Sequence, residues 1–139
     1  MEMEMKKTIK PRLFEREVVG VNAALVVQFL LGMYMNMYVE FPKTGPLAAW
    51  DFAKHSVVVM AHIILGTGLL IGGIALLVRA IRAKNRHWTI VASIAVFGLL
   101  MSWSGGERFI TTQNDIASYF MAVGFLITLL GFNWGLYTA

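Results

Sequence analysis

Four stretches of the chain are apolar for long enough to cross a bilayer, and short polar segments separate them. A helix needs about 20 predominantly apolar residues to span the hydrocarbon core. Residues 18–39 form the first run, closed where Glu40, Pro42 and the Gly45-Pro46 pair break the pattern. Residues 55–78 form the second, in which His55 and His62 are the only ionisable side chains. Residues 88–104 form a shorter third, and Gly105 and Gly106 are expected to end its helix by supplying backbone freedom. Residues 116–137 form the fourth, with Asn114 or Asp115 as its N-cap. The pattern predicts an all-α integral membrane protein, an up-down four-helix transmembrane bundle with helices crossing at about +20° where glycines let them approach.

The polar segments set the domain division and the orientation. Residues 1–17 read as a basic cytoplasmic N-terminal arm on anionic headgroups, and Pro11 discourages one continuous helix through it. The arm is not expected to be a secretory signal, because the apolar run after it is too long for an h-region. Residues 18–139 form the transmembrane domain. Residues 47–52 fit a short interfacial helix with Trp50 at headgroup depth. Of the twelve Lys and Arg, nine lie in the arm or in the turn after the second run, against Lys43, Lys54 and Arg108 elsewhere. The positive-inside rule then puts both termini in the cytoplasm, N-in and C-in, at a multi-pass cell membrane location. Trp50 and Trp103 fall at the expected outer interface, Trp88 and Trp134 at the inner.

Composition agrees, with 58% hydrophobic residues and a mean hydropathy of +0.66. The net charge of +4 would suggest nucleic acid in a soluble chain. Here the basic residues flank apolar runs and read as topology signals, so no nucleic-acid partner is expected. The absence of cysteine excludes disulfides, thiolate metal sites and covalent haem attachment through cysteine, leaving His, Met and oxygen ligands. The chain carries no phosphate loop, nucleophile elbow, metalloprotease helix or nucleic-acid module.

An ionisable residue inside a spanning helix points to function by default, which singles out His62. On one continuous helix, His55 and His62 would project within about 20° of each other but roughly 10.5 Å apart, too far to share a metal ion. His62 would lie roughly 11 Å deep, where an unpaired imidazole is costly. Gly32, Gly98 and Gly124 fall near the same depth in the other three spans. Two readings follow. The space could admit haem b with His62 as axial metal ligand and Met35, Met101, Met121 or a partner's histidine opposite. Alternatively, small residues let the helices close in, and His62 bonds to Gln28 or to a backbone carbonyl across the gap. A substrate or proton-relay role for His62 is a third.

Gln28 and Asn36 are the buried polar residues expected of the first span. Met33, Met35 and Met37 suggest a Cu(I) site, but alternate positions on a helix do not converge, and methionine as adaptable filler explains them better. Gly66, Gly68, Gly72 and Gly73 are expected at helix contacts, and the spacing of Gly68 and Gly72 matches a helix-association motif. Glu107, Arg108, Asn114 and Asp115 read as a solvated loop with a local salt bridge, or else as a lid in which Glu107 or Asp115 pairs with His55.

The run Val27-Gln28-Phe29-Leu30-Leu31-Gly32-Met33, with Asn36, Tyr38-Val39, Ala61-His62, Leu65-Gly66, Gly105-Gly106-Glu107-Arg108-Phe109, Asp115, Ser118 and Met121-Ala122, resembles an uncharacterised family of small four-span integral membrane proteins of bacteria and archaea. The resemblance covers most of the chain beyond the arm. It implies the four-span topology and draws attention to Gln28, Asn36 and His62 without giving them roles. The span count and the histidine-bearing second helix are also similar to one four-helix half of haem A synthase. Residues 116–139 hold no histidine to match it, so a bis-histidine site within one subunit is not expected.

The functional expectation is a non-catalytic membrane protein, either a homo-oligomer or an accessory subunit among other membrane subunits and lipid. A haem-b redox protein built on His62 is the alternative. A channel would need a polar path through Asn22, Gln28, Asn36 and His62, but on the first span Asn22 and Asn36 project well away from the face of Gln28.

Overall fold

The computed structural model describes residues 2–139, with side chains described from Leu13 onward. Its regular elements are five helices: α1 (Glu2–Tyr38), α2 (Pro46–His55), α3 (Val57–Arg82), α4 (Arg86–Thr112) and α5 (Asp115–Thr138). Four of them contain stretches long and apolar enough to cross a membrane: Leu13–Tyr38, Val57–Arg82, Arg86–Thr112 and Asp115–Thr138. The all-α class and a membrane location follow from these.

The boundaries differ from expectation in three places. α1 is one helix of 37 residues, so Pro11 does not interrupt it. A proline removes one N–H and costs roughly 3 kcal/mol inside a helix, a local penalty that leaves the apolar run beyond it free to stay helical. The arm's side chains up to Arg12 lie outside the described residues.

The second span starts at Val57 and not at residue 55. His55 closes α2, and Ser56 has extended backbone (φ −87, ψ 113). His55 and His62 therefore sit on different helices, and the helical-face relation between them does not exist. At its other end α3 continues to Arg82, since arginine is a good helix former.

The third difference is the largest. Gly105 and Gly106 do not end their helix, and α4 continues to Thr112. A Cβ on Gly105 would stand 2.8 Å from Met121 N and 2.9 Å from Ala117 O. The missing side chain serves contact with α5 rather than termination. Gln113 provides the true stop: it is left-handed (φ 49, ψ 37), its N–H bonds Phe109 O at 2.7 Å, and its side-chain amide donates to Pro42 O at 2.5 Å. Glu107 and Arg108 consequently lie exposed on α4, and neither is paired: among the described residues the carboxylate contacts are Arg79 with Glu17 and the His55 ring beside Asp51.

Local signals place the other ends. Gly45 has φ +119, a conformation that favours glycine, and Pro46 opens α2 where its missing N–H costs nothing. Asn85 caps α4 by accepting from Trp88 N at 3.1 Å. Asn114 caps α5 by accepting from Ile116 N at 2.8 Å.

The core is built around α4. Trp88, Val91, Ala92, Ala95 and Leu99 are buried there with Phe132 of α5, Leu69 and Leu76 of α3, and Val18 and Leu25 of α1. α4 and α5 form the tightest contact, at Gly105 with Ala117 and Met121, at Gly98 with Gly124, and at Val91 with Gly135. Thr128, fully buried, shares its hydroxyl proton between Ala95 O at 3.2 Å and Gly124 O at 2.9 Å. One end of the bundle is closed by Phe41 against Phe52 and Phe109, the other by Phe14 stacked on Trp88.

Candidate functional site

Two polar residues of the spans, Gln28 of α1 and His62 of α3, meet where these helices cross. Gln28 Nε2 lies 3.2 Å from His62 Nε2 and 3.1 Å from His62 O. The carbonyl can only accept, so it is the amide nitrogen of Gln28 that faces α3, with one N–H for each acceptor. His62 Nε2 accepts in this arrangement, which places the ring proton on Nδ1.

Two glycines make the crossing possible. A Cβ on Gly66 would stand 2.8 Å from Gln28 Nε2, and a Cβ on Gly32 would stand 3.2 Å from His62 Cε1. Gly66 follows His62 by one helical turn and exposes the His62 carbonyl to a second donor. Gly32 stands in the same relation to Gln28 and admits the imidazole edge.

The clasp is incompletely satisfied. Gln28 Oε1 and His62 Nδ1 are buried with no partner among the described residues, as is Asn22 Oδ1 further along α1. A hydrogen bond contributes about 1 kcal/mol net while a buried unpaired group costs about 1–3 kcal/mol, and interhelical bonds in membranes average only about 0.6 kcal/mol. Strength is therefore not what the clasp supplies. It fixes which turn of α1 faces which turn of α3, because a shift of either helix would leave still more polar atoms unpaired.

The residues grouped around His62 as a haem pocket do not converge. Gly32 touches the imidazole, but Gly98 and Gly124 face each other: a Cβ on either would stand 2.5 Å from the other's carbonyl oxygen. That contact leaves no gap between α4 and α5 for a flat group. Met35 is half-buried on α1, and the Nε2 of His62 is already engaged by Gln28. No three His, Asp or Glu among the described residues are placed to share a metal ion. Asn36, expected to be buried, is exposed, so the polar path through it is not assembled. His55 turns back on its own helix, donating from Nδ1 to Asp51 O at 2.8 Å, instead of meeting Glu107 or Asp115.

The four glycines of α3 separate into distinct roles. Gly66 admits Gln28, Gly73 packs on Leu99 and Val96 of α4, and Gly68 and Gly72 have no described atom within 4 Å of a Cβ position. Sequence reasoning missed Thr128 and Ser102, whose hydroxyls tie α5 to α4; Ser102 donates to Met121 O at 2.8 Å. The available signal was a hydroxyl set among glycines in an apolar run. Compared with known protein families, curated proteins and solved structures, the chain matches none.

Proposed function

We propose that this chain is a non-catalytic multi-pass membrane protein that works as a homo-oligomer or as an accessory subunit of a membrane complex. Its spans alternate up and down, with both termini on the cytoplasmic side, as the positive-inside count favours. The observation that carries the assembly reading is the uneven packing of the bundle. The most apolar windows of α4 and α5 are 39% and 28% buried, whereas those of α1 and α3 are 11% and 17% buried. All four windows are less than half buried, and α1 and α3 are the least covered from within the chain.

The polar residues support the non-catalytic part of the reading. Gln28 and His62 engage each other, and Ser102 and Thr128 bond carbonyls across or along the helices. Each has a packing role, and the resemblance to small four-span membrane proteins fits the same picture.

Native mass spectrometry of the chain extracted from its own membrane in mild detergent tests the reading. The expected species are integer multiples of the 15.5 kDa chain, or the chain with stoichiometric partner subunits. A lone monomer across detergents and concentrations would refute it.

A further inference from the structure

The turn between α3 and α4 holds three cations without partners. Arg82, Lys84 and Arg86 are exposed, and among the described residues none has a carboxylate beside it, whereas Arg79 takes Glu17 through both guanidinium nitrogens. The backbone fixes the turn. Lys84 N–H bonds Ile81 O at 3.0 Å and Asn85 N–H bonds Ala80 O at 3.1 Å, the pair of bonds that closes a helix on a left-handed residue. That residue is Lys84, with φ 52, at a position glycine usually takes. The Asn85 side chain then caps α4 by accepting from Trp88 N at 3.1 Å. Three like charges are thus held close together, where they repel one another unless an anion comes between them.

Each arginine of the turn heads an exposed apolar stripe. Ile71, Ile74, Val78 and Arg82 lie within about 80° of one another around α3, and Arg86, Ile90, Ile94 and Phe97 do so around α4. All eight side chains are exposed. Aromatic residues mark the depth of the turn: His87 donates from Nε2 to Gly135 O at 3.1 Å, and its ring lies 6.2 Å from that of the exposed Trp134. Tryptophans collect at headgroup level. The other two spans end differently on this side of the bundle, α5 with Trp134 and Tyr137 and no charge, α1 with Glu15 and Glu17 beside Arg16. The far end mixes signs, with Lys43, Lys54 and Arg108 against Glu40, Asp51, Glu107 and Asp115.

We propose that the α3–α4 turn binds the phosphate of an anionic phospholipid, whose acyl chains lie against the apolar stripes that Arg82 and Arg86 head. Charge selects the headgroup, because unpaired cations at a membrane surface favour anionic over zwitterionic lipid. The stripes select the source. An acidic protein segment or a soluble phosphate would satisfy the cations alone, whereas a phospholipid carries anion and apolar chains in one molecule, in the order the surface presents them. The inference needs only the membrane location, and a monomer would bind the same lipid as an assembly.

Native mass spectrometry of the full chain in mild detergent, supplied with equal amounts of phosphatidylglycerol and phosphatidylcholine, counts the adducts of each lipid. The expected result is a several-fold preference for phosphatidylglycerol. It should fall by about fivefold or more in the triple variant Arg82→Gln, Lys84→Gln, Arg86→Gln, since each cation near an anionic surface contributes a factor of about five. The triple variant Lys43→Gln, Lys54→Gln, Arg108→Gln removes the same charge at the far end and should keep the preference. Lys84→Gly separates binding from folding: it relieves the left-handed backbone, so the chain should unfold no more readily while the preference falls. Soluble glycerophosphoglycerol at the same concentration should not compete. Equal adducts of the two lipids, a preference that survives loss of Arg82, Lys84 and Arg86, or one lost alike in the far-end variant would overturn the site. Displacement by the soluble headgroup would overturn a role for the stripes. An acidic partner subunit that is retained from the native membrane, and released by the same substitutions without any lipid preference, would overturn lipid as the occupant.

Discussion

Gln28 and His62 join their helices by a reciprocal device: each is followed four residues later by a glycine, and each glycine receives the other's side chain. Gly66 makes room for the Gln28 amide and Gly32 for the His62 ring. The amide then reaches both the imidazole and the His62 carbonyl. Neither polar residue could make this contact beside a larger neighbour, so the four positions act as one unit.

Coupling within that unit is measurable. A Cβ at Gly66 meets only the mobile end of Gln28, so Gly66→Ala should fold but displace the amide, costing about 1 kcal/mol for the lost bonds. In a Gln28→Ala background the same change should be neutral or stabilising, because alanine is the better helix former. A double-mutant cycle by denaturation in mixed detergent micelles should therefore give a coupling of about 1 kcal/mol. Additive effects would show that Gln28 and Gly66 do not share a contact.

Glycines of α4 should differ sharply in their tolerance of a methyl group. At Gly98 a Cβ would stand 2.5 Å from both Gly124 O and Thr128 Oγ1, whereas at Gly106 the nearest atom is Met121 Sδ at 3.5 Å. Gly98→Ala is expected to force α4 and α5 apart, costing about 1–3 kcal/mol as overpacking does. Gly106→Ala should be neutral or stabilising by up to about 1 kcal/mol. The same detergent unfolding assay reads both, and equal effects would contradict the close approach at Gly98.

Glu17 and Arg79 tie the charged ends of α1 and α3 together while remaining partly exposed, 35% and 52% respectively. Screening by solvent limits such a pair, so Glu17→Gln should cost only about 0.2–1 kcal/mol, an effect that shrinks as salt is raised. Stability of the wild type and the variant at low and high ionic strength checks this. A salt-independent loss would mean that Glu17 acts through packing.

With Gly98 and Gly124 closed on each other and His62 Nε2 engaged by Gln28, protein purified from haem-replete cells should show no stoichiometric Soret band, oxidised or dithionite-reduced. A stoichiometric band lost in His62→Ala would overturn this expectation and bring back the haem reading.

How far the sequence could be read depended on the range of the interaction concerned. The four apolar runs were legible because solvation of a helix in a bilayer is decided residue by residue along one segment. Local chemistry likewise marked Asn114 or Asp115 as a cap, of which Asn114 serves, and residues 47–52 as part of a helix, now bounded as α2. Gly105 and Gly106 misled because a glycine next to a polar stretch looks the same whether it frees the backbone or admits a neighbouring helix. Only the position of Ala117 and Met121 across the gap distinguishes the two.

The same limit applied at the candidate site. His62 stood out because a histidine in an apolar span needs a partner, and Gln28 was among the partners its chemistry allowed. Which glycines served it could not be read from depth alone. Gly32, Gly98 and Gly124 lie at comparable depths, yet azimuth and helix pairing assign the first to His62 and the other two to each other. The sequence by itself determined that this chain is a set of apolar helices with few polar groups to satisfy. Tertiary structure alone decided which helix faces meet, because small residues permit close contact with any neighbour and only the packed arrangement selects one.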